Sequence, residues 1–172
     1  MMAGAAGALL CVAAGLSLGM AVREKWTERH RLLTQTQEML SRLRLLLAQE
    51  RLGMCELLTG CAAGLDGGMA RRFTLVAEIL RREPLLSLAE AYQQSEKQLS
   101  LPGEGTSERA ALRQLFGELG MGTAAMREAA VAGCLRRLKP AAEEAERRFR
   151  SGGKLCVQLG MLAGIMAGII LW

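Results

Sequence analysis

Read as apolar and polar positions, the chain has an uncharged segment at each end and a mixed middle. No ionisable Asp, Glu, Lys, Arg or His occurs before Arg23 or after Lys154. At 1.5 Å per helical residue, stretches 1–22 and 155–172 reach about 33 Å and about 27 Å, against a hydrocarbon core of about 30 Å. Each is expected to cross a bilayer as a helix. Between them, Leu33, Leu40, Leu43, Leu47 and Met54 fall on a seven-residue repeat, with no proline or glycine before Gly53. That spacing predicts one long helix continuing out of the first span. Val131, Leu135, Leu138, Ala142, Ala145 and Phe149 keep alternating steps of four and three and lead into the second span. The two stems are therefore expected to pack as an antiparallel pair. Pro140 lacks a backbone donor and predicts a kink in the return stem, and Gly152-Gly153 a joint beside the membrane.

Three shorter helices are expected between the stems. Past the loop Gly64-Leu65-Asp66-Gly67-Gly68, the apolar face is Met69, Phe73, Val76, Ala77 and Leu80, with Arg71, Arg72, Arg81 and Arg82 placed off it. Ser87-Leu88-Ala89-Glu90 reads as a capping box opening a helix with the face Leu88, Ala91, Tyr92, Ser95 and Leu99. Leu101-Pro102-Gly103-Glu104-Gly105 ends it, Thr106 or Ser107 is expected to cap the next, and Leu112, Leu115, Phe116 and Leu119 form a stripe ending at Gly120. No period-two strand pattern occurs. The fold class read from the pattern is all-α: a cytosolic antiparallel bundle of about five helices, residues 23–154, between transmembrane helices at 1–22 and 155–172.

The charges orient this arrangement. Arg23, Lys25, Arg29 and Arg31 follow the first span, and Arg147, Arg148, Arg150 and Lys154 precede the second. The positive-inside rule puts the middle in the cytosol and both termini on the opposite side. The first segment lacks the basic start of a signal peptide and is read as retained, and Trp26 and Trp172 suit interfacial positions. Gly160, Gly164 and Gly168, and Gly15 with Gly19, recur every fourth residue, the spacing with which membrane helices approach closely. The partner in such a contact, the other span or another subunit, is left open.

Composition excludes several classes. With 51% hydrophobic residues but 3% aromatic, and a net charge of +5 spread among alternating signs, the chain has few stacking platforms and no continuous basic track for nucleic acid. One histidine, His30, and one aspartate, Asp66, are too few for a catalytic triad or the usual zinc and magnesium ligand sets; His30 itself is expected to be solvated. Gly152-Gly153-Lys154 lacks the rest of a phosphate loop. Glu143 and Glu144 are adjacent, so on a helix they diverge. Cys11 and Cys156 lie in the apolar ends, and Cys55, Cys61 and Cys134 form no C-x-x-C pair, which predicts reduced, core-facing thiols. No enzyme and no cofactor are expected.

The stretch Leu112-Arg113-Gln114-Leu115-Phe116-Gly117-Glu118-Leu119-Gly120, the closing run Leu159-Gly160-Met161-Leu162-Ala163-Gly164 and the juxtamembrane Trp26-Thr27-Glu28-Arg29 resemble motifs of the stage III sporulation protein AB family of endospore-forming bacteria. Two positions depart from that pattern, His30 where the family has Pro and Thr123 where it has Asp, and the family's Tyr and Thr-Pro-Leu are not evident around Arg51 to Leu58. The helix-capping chemistry survives in Thr123. Phe116 is expected to anchor the core, Gly117 to permit close helix packing, and Gly120 to take a left-handed cap. The resemblance implies a cytosolic domain similar to the F-type platform domain of type II secretion systems. It also implies a place in the outer forespore membrane, domain in the mother-cell cytosol, within the trans-envelope complex. Its implied partners are the complex's ATPase, stage III sporulation protein AA, and other membrane subunits. Arg71, Arg72, Arg81 and Arg82 are the candidate partner-binding residues. The alternative is an anchored homo-oligomeric scaffold, joined through Gly160, Gly164 and Gly168, with no motor contact.

Overall fold

The computed structural model describes the backbone of residues 2–48 and 52–170, and the side chains of residues 17, 20–48, 52–150, 162 and 166. The described residues are helical and contain no strand: α1 (Met2–Leu47), α2 (Met54–Ala62), α3 (Gly68–Arg82), α4 (Leu88–Gln98), α5 (Thr106–Leu119) and α6 (Ala124–Ile170). They divide into two compact units, Met1–His30 with Glu144–Trp172, and Arg31–Glu143.

In the larger unit each short helix packs on the next, α2 on α3, α3 on α4 and α4 on α5. α1 contributes Leu33, Met39, Leu40 and Leu43, α6 contributes Val131 and Leu138, and all six are essentially solvent-free. Arg44 pairs with Glu128 at 2.9 Å, which sets α1 beside α6. The first stem is shorter than its repeat suggests. α1 stops at Leu47, and Met54 opens the separate α2 because Gly53 is extended (φ −67°, ψ 157°) and its N–H donates to the Glu56 carboxylate at 3.2 Å. Among the described residues there are therefore six helices where about five are expected. The loop before α3 is fixed from α1: the Gln35 amide donates to the Asp66 carbonyl at 2.7 Å.

The caps follow the sequence in part. Ser87 Oγ accepts the Glu90 N–H and Glu90 returns to the Ser87 N–H at 2.9 Å, the reciprocal box that starts α4. Thr123 Oγ accepts the Met126 N–H at 3.4 Å at the head of α6. Neither Thr106 nor Ser107 caps α5, since Gly105 occupies that position (φ −81°, ψ 164°). Gly120 is right-handed (φ −71°, ψ −16°); the left-handed turn between α5 and α6 is made by Gly122 (φ +90°), where the missing Cβ removes the steric cost. α6 continues through Pro140 and through Gly152-Gly153.

In the smaller unit, the His30 ring is half-buried rather than solvated, because it stacks on Phe149 with centroids 4.9 Å apart and planes 12° from parallel. That contact sets α1 beside α6 there as well. Among the described residues no helix is long and apolar enough to cross a membrane. The side chains of the two expected spans lie almost wholly outside the described set, with Gly15, Gly19, Gly160, Gly164, Gly168, Cys11, Cys156 and Trp172 among them.

Candidate functional site

Leu112, Leu115, Phe116 and Leu119 all face the interior of the larger unit. Phe116 is the hub: its ring stacks on Tyr92 at 4.2 Å and meets Phe73 edge-on at 5.2 Å, joining α5 to α4 and α3. Such aromatic contacts add about 0.5–1.5 kcal/mol beyond area burial. Neither glycine has its expected role. A Cβ on Gly117 would meet no atom within 4 Å, whereas one on Gly120 would touch Leu88 Cβ at 3.4 Å. Gly120 is the point of close approach, and Gly117 is not.

The candidate arginines separate as well. Arg71, Arg81 and Arg82 are exposed, but Arg72 is 1% exposed and belongs to the core. Its Nη1 lies 2.6 Å from Glu104 Oε1, its Nη2 donates to the Leu99 carbonyl at 2.8 Å, and Nη1 also reaches the Tyr92 hydroxyl at 3.4 Å. Glu104 turns its other oxygen to Arg109 at 3.4 Å, and Glu96 receives Arg113 at 2.6 Å. This relay ties the 99–105 loop to α3, α4 and α5. Desolvation works against the Arg72 charge, but the Glu104 hydrogen bond and the neighbouring negative charge outweigh it and raise its pKa further. Burial pushes the Tyr92 hydroxyl up, so it stays neutral while its oxygen accepts from Arg72. A buried pair of this kind costs desolvation about as large as its attraction, so what it supplies best is a fixed arrangement of the loop. The sequence pattern places Arg72 off the apolar face, because a charged side chain ordinarily faces solvent. The signal for its burial is nonetheless present: Met69, Arg72, Val76 and Ile79 repeat at steps of three, four and three, and all four are buried.

Desolvation pushes the Cys61 thiol up to about 12 and the Cys134 thiol up to about 11, so both are neutral near pH 7. Among the described residues no group of three His, Cys, Asp or Glu side chains is placed to hold a metal ion. What the larger unit presents is a locked interior and a charged exterior. On α3 a shallow depression of about 460 Å3 lies among Ala70, Thr74, Leu75 and Leu99, with Arg71 and Glu78 at its edge. Gly160, Gly164 and Gly168 fall outside the described residues.

The comparisons with known proteins agree with this architecture. No curated protein matches the chain. A solved structure, described as stage III sporulation protein AB, superposes with a TM-score of 0.62 at 22% identity, covering 71% of this chain and 96% of that one. At that identity the likeness speaks for the helical fold. The family described as stage III sporulation protein AB matches over residues 4–172, nearly the whole sequence. The chain belongs to the stage III sporulation protein AB family.

Proposed function

We propose that the protein is a membrane-anchored platform of the mother cell–forespore trans-envelope complex, whose cytosolic bundle docks the complex's ATPase, stage III sporulation protein AA. The observation that carries this reading is the family match over residues 4–172. Two features support it. The uncharged stretches 1–22 and 155–172 have bilayer length and are flanked on the bundle side by arginine and lysine, as expected of spans with residues 23–154 in the cytosol. The larger unit has a closely packed interior built on Phe116 and the Arg72–Glu104 pair, which suits a part that holds other components in position.

The test is capture of the purified ATPase by the full chain reconstituted in lipid nanodiscs. Saturable binding that weakens as salt rises from about 50 to 300 mM is the expected result, since contacts between exposed charges are screened. No capture by a folded, helical chain overturns the docking reading and favours the scaffold. In that case Leu at Gly160, Gly164 and Gly168 abolishes co-assembly with the membrane subunits.

A further inference from the structure

A second depression lies on the opposite helices of the larger unit, between α5 and α6. It encloses about 360 Å3 over a floor that includes Leu115, Ala130 and Gly133, and Met126 stands at its edge with 63% of its surface exposed. Arg136 and Arg137 close the far side, ten and eleven residues along α6, so the groove runs for roughly 15 Å, about three helical turns. Two things set these arginines apart. Arg137 bonds the neutral Gln114 side chain, and among the described residues Arg136 has no ion pair, so neither charge meets a carboxylate. They also sit in the interior of a 47-residue helix. Arg81 and Arg82, by contrast, occupy the last turn of α3, where the helix dipole gives cations a reason to be.

Glycine at position 133 is costly too. A helix-interior glycine is about 0.5–1 kcal/mol worse than alanine, and here a Cβ would meet only an Arg136 nitrogen at 4.0 Å. The chain's own packing does not require it, and the missing side chain leaves the groove floor open at this point.

We infer that the α5–α6 groove is the docking surface for an amphipathic helix of the protein partner, its apolar side on Met126 and the groove floor and its carboxylates on Arg136 and Arg137. This rests on the docking reading above and names its surface. Charge complementarity decides the occupant. The groove carries Arg136 and Arg137 against the single carboxylate of Glu118, leaving one net positive charge for an acidic partner. A second copy anchored in the same membrane would present α6 in the same sense and set Arg136 against Arg136, a like-charge contact that opposes pairing.

The experiment uses the full chain in nanodiscs, with the purified ATPase as probe, and compares three variants with wild type. They are the charge reversal Arg136→Glu with Arg137→Glu, the separate substitution Met126→Asp, and the reversal Arg81→Glu with Arg82→Glu. All five positions are exposed, and circular dichroism verifies the fold. Each groove variant is expected to weaken binding about tenfold or more, and the α3 reversal to change it by less than about threefold. Wild-type strength in both groove variants overturns the assignment, as does selective loss in the α3 reversal. A change in the number of chains per disc, with ATPase binding intact, also overturns it and gives the groove to a second copy. Failure of wild-type chain to bind fells the docking reading itself, a result distinct from any of these.

Discussion

Arg72 is where a single substitution does most. Replacing it with Ala leaves the Glu104 carboxylate buried without its 2.6 Å partner, and breaking a buried pair from one side costs about 3–5 kcal/mol. Chemical denaturation followed by helicity is expected to show that loss for Arg72→Ala and most of it recovered in Arg72→Met with Glu104→Leu. A single substitution as mild as the double one contradicts the role given to this pair. At Glu90 the expectation concerns pH. Hydrogen bonds from the Ser87 hydroxyl and N–H hold this carboxyl below its ordinary range. A depressed folded value contributes stability above the unfolded one, and that contribution disappears as pH falls through the folded value. The Glu90 carboxyl resonance is therefore expected to titrate below a free glutamate, and Ser87→Ala, which removes the hydroxyl but keeps the N–H bond, to move it upward part of the way while the lost cap costs about 1 kcal/mol of α4 stability. The thiols give a third check. With Cys61 near 12 and Cys134 near 11, both are expected to resist alkylation at pH 8 until the bundle unfolds; rapid labelling of the native chain contradicts their burial.

Among the helices, the glycines of and after α5 separate packing from backbone need. Gly117→Ala enters open space and is expected to stabilise α5 by about 0.5–1 kcal/mol. Gly122→Ala forces a Cβ onto a residue at φ +90° and is expected to destabilise by at least about 1 kcal/mol. Thermal unfolding of the two variants moves in opposite directions if both assignments hold. The same helices indicate what the sequence makes legible. The stripes of α1, α3, α4 and α5 and the Ser87 box are set by local spacing, and the structure follows them. The end of α1, the unexpected α2 and the Gly105 cap depend on which backbone groups find partners, such as Gly53 with Glu56, and a hydrophobic pattern carries no record of that. Burial of Arg72 was encoded in the period, but finding its partner requires knowing that the 99–105 loop folds back over α3. His30 is a similar case, since a lone charged-region histidine gains a ring partner only once α6 lies beside α1.

For the whole molecule, the proposal to be tested is an anchored platform, in which two spans at 1–22 and 155–172 would hold the bundle on the cytosolic side. Leu85, wholly exposed in the turn between α3 and α4, is the natural reporter, because the buried native thiols leave only Cys55 in the bundle to be replaced. The decisive measurement is membrane-impermeant maleimide labelling of Leu85→Cys in a Cys55→Ser background, in sealed right-side-out and inverted vesicles, on membranes washed with carbonate. The account predicts that the chain stays with the washed membranes and that Leu85→Cys is labelled from the cytosolic face alone. Release into the wash, or labelling from the opposite face, contradicts it.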